Sequence, residues 1–231
     1  MKDIFNFNLY THDFWSIYDS IRKYYPIGIK RGENGIYFDY PGIKALEKIV
    51  VERVHDQANY ENNWVAFTEQ CQDELKYPVK GTTYGQEPSY SAYVELSKFV
   101  SEEVDSSKEL HFAVSFLGPF YTVIGMHKTF VPTQRGDKFL ERVNRVVVSP
   151  LNEFEIPFIK MMKKIESRFN GYRYVPFFIN QMFIDGLRVR YRDDEENRVY
   201  HALFNQLIDF EAMKEGDQYS FGTDIWQIDN S

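Results

Sequence analysis

The chain has 231 residues, 43% hydrophobic and 26% charged, with 27 basic and 34 acidic side chains and a formal charge of −7. That hydrophobic fraction excludes wholesale disorder, the charge content excludes an integral membrane protein, and the length suffices for one domain with a sizeable core. Aromatic content is the departure from the ordinary, with Phe 20, Tyr 17 and Trp 3 making up 17% of the chain.

The first residues, Met1-Lys2-Asp3-Ile4-Phe5-Asn6, include an early acidic side chain and no apolar run of signal-peptide length. The single cysteine, Cys71, forms neither an internal disulfide nor a cysteine-based zinc site. A cytoplasmic location is the resulting expectation. Cys71 itself reads as a small half-buried hydrophobe.

A first helix is expected from Thr11, carrying Phe14, Trp15, Ile17, Tyr18, Ile21 and Tyr25 at helical spacing until Pro26 stops it. Gly32-Glu33-Asn34-Gly35 reads as a turn and Ile36 to Asp39 as a short strand. Pro41 suits the first turn of a second helix through Val54. A third covers Glu61 to Leu75, with Trp64, Phe67, Cys71 and Leu75 on one face. Two prolines and two glycines between Tyr77 and Pro88 preclude regular structure there.

Strands follow. Tyr90 to Leu96 alternates sides, and His111–Leu117 with Phe120–Met126 reads as a hairpin around Gly118-Pro119. The 18 residues from Leu110 to His127 carry no formal charge, but Gly118-Pro119 breaks them and a membrane span is rejected. Arg145 to Ser149 is read as a further, central strand, Leu151 to Phe169 as a helix, and 174–178 and 182–191 as strands. Val199, Leu203, Leu207 and Phe210 mark a final helix over 194–210. The expected fold is a single α+β domain over residues 1–231. A mainly helical layer (1–77) and a loop (78–88) precede a mainly antiparallel sheet (89–231), with the two later helices packed on it.

Chemical motifs are sparse. Phosphate-loop, dinucleotide, nucleophile-elbow, zinc-protease and calcium-loop patterns are all absent, and no cofactor or metal is expected. His111 and His127 flank the hairpin, but pairing Leu117 with Phe120 puts the two imidazoles on opposite sheet faces.

Charge is more informative. Residues 1–127 carry net −6, residues 128–192 net +7 and residues 193–231 net −8. Arg188, Arg190 and Arg192 alternate with Leu187, Val189 and Tyr191, so a strand there aims three guanidiniums to one side. With Lys160, Lys163 and Lys164 they are the candidate anion or nucleic-acid site. Asp193-Asp194-Glu195-Glu196 is expected to complement a helix dipole. Aromatics outside the periodic pattern form the candidate partner-binding set, namely Tyr84, Tyr90, Tyr219, Phe221 and Trp226, with Asp217 and Asp224 as acidic neighbours.

The leading expectation is a soluble, non-enzymatic module that occludes a protein partner, in character an immunity-type inhibitor of a basic, toxin-like protein. The alternatives are an enzyme with a dispersed site and a nucleic-acid or anion-binding module using the arginine face.

Overall fold

The computed structural model describes residues 4–5, 12–32, 35–101, 103–132, 139–192 and 197–228. Helix α1 (Trp15–Tyr24) buries Ile17, Ile21 and Tyr24. Ile36–Asp39 is a four-residue helix, α2, instead of a strand, and it runs through Tyr40 into α3 (Pro41–Val50). Its Tyr37 is fully buried and donates its hydroxyl to the Arg188 carbonyl, which overrides the β-propensity of the segment. After α3 the chain widens into a π turn, Val51–His55. It then passes through α4 (Gln57–Tyr60) and a second π turn, Glu61–Val65, into α5 (Ala66–Leu75). Thr11, Glu33 and Asn34 lie outside the described residues.

A seven-stranded mixed sheet follows. Its path is β1 (Val79–Gly81), β2 (Ser89–Phe99), β3 (Asp105–Ser115), β4 (Phe120–Pro132), β5 (Phe139–Val147) and β7 (Met213–Glu215), while β6 (Arg173–Tyr174) pairs with β4. Neighbours from β1 to β5 are antiparallel, and the short β6 and β7 are parallel to β4 and β5. The β3–β4 hairpin pairs Val114 with Tyr121 and leaves 116–119 as its loop, so His111 faces Ile124 and His127 faces Lys108. Relative to the expected two-residue turn, the opposed positions shift by two. An even shift keeps every side chain on its face, so the two histidines lie on opposite faces.

One face, the helical face, is apolar. Trp64 stacks on Tyr90 at 5.1 Å between ring centroids and lies 5.6 Å from Phe112, and α6 (Glu155–Arg168) covers the β4 side. Gly125 makes room there, because a Cβ on it would sit 2.7 Å from the Phe154 ring. The other face meets the C-terminal segment. Ser89 Oγ donates to the Phe204 carbonyl at 2.9 Å, and Asn180, at the end of α7 (Phe177–Asn180), donates to Thr122 Oγ1 at 2.9 Å.

The last third departs from expectation. Residues 182–191 form no strand beyond the isolated bridges of Phe183 to Ile4 and Arg198, and the final helix shrinks to α8 (Val199–Leu203). Leu187 and Val189 are buried while Arg188, Arg190 and Arg192 are half-buried, so the alternation expresses burial without a sheet partner among the described residues. β5 runs from Phe139, well before Arg145, and meets β7 only over Arg145–Val147. Most aromatic rings enter the core or pack against it, and Trp64, Trp226, Tyr25, Tyr37, Tyr121, Tyr174, Tyr200 and several phenylalanines are fully buried. Each buried phenylalanine is worth about 1.5–3 kcal/mol relative to exposure. No helix among the described residues is long and apolar enough to cross a membrane.

Candidate functional site

Strands β2 to β5 are nine to thirteen residues long and run past the helices, which leaves one end of the sheet overhanging. At its tip Phe99 pairs with Ser106, which pairs with Thr129, which pairs with Arg142, so one row crosses four strands on the helical face. The next row outward holds Val131 opposite Leu140. Further in, this face lies under Trp64 and Phe154. Here Phe99 is 64% exposed, Val131 42% and Leu140 67%. The adjoining Val100 and Val104 are exposed as well. Exposed apolar side chains gathered at one end of a sheet point to an interaction site.

The root of the overhang is polar on both faces. On the C-terminal face, Ser107 Oγ donates to Glu109 Oε1 at 2.8 Å and His111 Nε2 meets Glu109 Oε2 at 2.7 Å. Lys128 bridges Glu109 at 3.1 Å to Glu141 at 2.8 Å. Tyr93 stacks on His111, and Lys80 on β1 pairs with Glu95 at 2.6 Å. The belt thus ties five strands together. Burial pushes the Glu109 carboxyl up, but His111, Lys128 and Ser107 outweigh it and hold the group well below the usual carboxylate range. His111 is held neutral chiefly by burial, so its Nε2–H donates to Glu109. Its Nδ1 has no protein partner among the described residues and lies beside a cavity of about 10 Å³, the size that holds one water.

On the helical face, Lys108, His127 and Arg145 occupy one register row. Lys108 pairs with Glu153 and Arg145 with Glu215 around a cleft of about 220 Å³. Burial and the Lys108 charge lower the His127 pKa, and its ring lies 5.2 Å from Phe154.

A third polar group lies under the C-terminal segment. Glu87 is 2% exposed, and among the described residues its Oε1 accepts only from the Gln206 backbone, at 3.3 Å. Burial pushes this carboxyl up to about 7. Nearby, burial and the charges of Arg192 and Arg198 push His201 down to about 3.

The residues proposed from sequence divide sharply. Tyr84 and Tyr219 are exposed, while Phe221 is half-buried against Phe158 and Tyr174. Asp217 and Asp224 are exposed, and the Asp217 carboxylate accepts from the backbones of Tyr219 and Ser220 and so shapes its own turn. Tyr90 (4% exposed) and Trp226 (0%) are corrected to core residues. Tyr90 is walled in by Trp64, Tyr60 and Phe116. Trp226 lies under Arg173 and donates its indole N–H to Tyr174.

The arginine row does not form a shared cationic face. Arg188 donates to the Leu187 carbonyl, Arg190 pairs with Glu47 at 3.0 Å and Arg192 contacts His201 at 2.6 Å. Lys160, Lys163 and Lys164 line a separate groove of about 550 Å³ against α5, where Lys164 pairs with Glu74. Cys71 borders that groove, buried, with its thiol pushed up to about 12 by burial. The acidic run 193–196 lies outside the described residues.

Sequence reading missed the overhang. Its signal was present in the apolar residues Phe99, Val100, Val104, Val131 and Leu140 clustered around turns, but only the register joins them.

Fold and site together define an α+β domain built on a mixed seven-stranded sheet with one end that no helix among the described residues covers. Comparison with protein-family models, curated proteins and solved structures finds no match to this chain.

Proposed function

We propose that the protein works by binding another protein, and that the overhanging end of its sheet is the contact surface. The observation that carries this reading is the exposure of Phe99, Val131 and Leu140 on the same sheet face that Trp64 and Phe154 cover further in. An apolar surface of this kind is stabilised by a partner. The belt around Glu109 supports the reading, because it stiffens the root of the overhang and lowers the entropic cost of docking. The formal charge of −7 favours encounter with a basic partner, and occlusion of a toxin-like protein in the manner of an immunity protein is the concrete form of the proposal.

The test compares the wild-type chain with a Phe99→Asp/Leu140→Asp variant in affinity capture from the native cell and against products of neighbouring genes. The proposal expects one partner bound stoichiometrically by the wild type and lost by the variant at unchanged melting temperature. Equal capture by both chains overturns it.

The cleft at His127 favours a second reading, an enzyme site. A neutral half-buried imidazole there lies beside a Glu153 carboxyl held low by Lys108. A small molecule whose binding shifts the His127 ring resonances supports that reading, and a saturating screen without such a shift removes it.

A further inference from the structure

We infer that the partner docks by adding an extended strand to the outer edge of β5 along residues 139–143. This rests on the protein-binding reading above and names the geometry and chemistry of the bound segment.

The edge is open because β7 covers only Arg145–Val147. Before Met213 the chain turns away through residues 210–212, and among the described residues no strand pairs with 139–144 on the side away from β4. Residues 139–143 pair with 132–128 in unbroken register, and the bulge that interrupts the strand falls at Asn144, the inner limit of the open stretch. A regular, unpaired edge is a template for strand addition.

The opposite edge, on β2, is poorer. It carries a bulge between Glu95 and Ser97 and a lysine, Lys98, within its last three residues, and both features blunt an edge.

The side chains define what the added strand carries. Leu140 and Arg142 project on the helical face, and Glu141 and Val143 on the other. Lys128 already holds Glu141, whereas Arg142 is exposed and makes no ion pair among the described residues. A complementary segment therefore puts an apolar side chain opposite Leu140 and, two residues away on the same face, an aspartate or glutamate opposite Arg142.

A second copy of this chain fits badly. A two-fold antiparallel pairing centred on position 141, which uses the whole open edge, puts Glu141 against Glu141, and one centred on 142 puts Arg142 against Arg142. Like charges directly opposed are destabilising.

The probe is a synthetic ten-residue peptide alternating valine and threonine around one aspartate, with two copies N-methylated at either alternate set of backbone amides. Binding is followed by hydrogen exchange and chemical shifts of the full chain. The inference expects protection of alternate amides within 139–143 by the parent peptide and by only one of the N-methylated copies. Arg142→Glu weakens the aspartate peptide about fivefold, and a lysine-for-aspartate peptide recovers the loss. Equal binding by both N-methylated copies, or no protection of β5 amides, overturns strand addition. A peptide that perturbs Phe99 and Leu140 side chains without protecting β5 amides also overturns it but leaves the protein-binding reading standing. That reading is tested separately by partner capture with the Phe99→Asp/Leu140→Asp variant.

Discussion

Lys128 and Glu109 meet at 3.1 Å between neighbouring strands, both side chains nearly withdrawn from solvent, at the root of the overhanging sheet. The same ammonium reaches Glu141, whose side chain is half-exposed. Buried and exposed partners of one cation thus sit side by side, and their contributions separate.

Lys128→Met leaves Glu109 buried with His111 and Ser107 as its remaining partners among the described residues. Removing one member of a buried pair costs about 3–5 kcal/mol, whereas an exposed partner contributes roughly 0–1 kcal/mol. Urea denaturation is expected to show a loss of about 3 kcal/mol for Lys128→Met and less than about 1 kcal/mol for Glu141→Gln. Equal losses contradict the assignment.

The depressed Glu109 pKa gives a definite pH dependence. A carboxylate held low contributes stability above its unfolded pKa, and this is lost as pH falls through the folded value. Glu109→Gln is therefore expected to flatten the acid limb of the stability profile below about pH 4. A variant whose acid limb matches the wild type sinks the claim.

Glu87 runs the other way. Its folded pKa of about 7 lies above the unfolded value, so the cost of ionising it grows from about pH 4.5 and is complete above about pH 7. Glu87→Gln is expected to raise stability at pH 8 by an amount on the order of 3 kcal/mol and to change it little at pH 4. Denaturation at the two pH values reads the difference, and a gain of equal size at both contradicts the burial account.

Gly125→Ala tests how α6 seats on the sheet. The added methyl meets the Phe154 ring at 2.7 Å and Val147 Cβ at 2.9 Å. Overpacking of this kind costs about 1–3 kcal/mol. Calorimetry is expected to show a lower melting temperature at unchanged cooperativity.

Periodicity made the helices at 15–24, 41–50, 66–75 and 155–168 and the β3–β4 hairpin legible, because each buries one continuous stripe. It failed at Ile36–Asp39 and at 182–191, where tertiary hydrogen bonds and isolated burial decide four- to ten-residue segments. It failed also at the expected loop 78–88, where Val79–Gly81 pairs with β2, and at the expected strand 174–178, which turns into the helix Phe177–Asn180. Tyr90 and Trp226 read as loop aromatics because the rings that enclose them come from distant parts of the chain. The overhang was invisible for a related reason. Phe99, Val131 and Leu140 are far apart in sequence, and cross-strand register alone aligns them.

The most direct measurement places a photo-crosslinking phenylalanine analogue at position 99, 131 or 140, with positions 38 and 219 as exposed aromatic controls elsewhere on the surface. After irradiation in the native cell, the account predicts one common protein adduct from the three overhang positions and none from the controls. The same adduct from positions 38 and 219, with none from 99, 131 or 140, would contradict it.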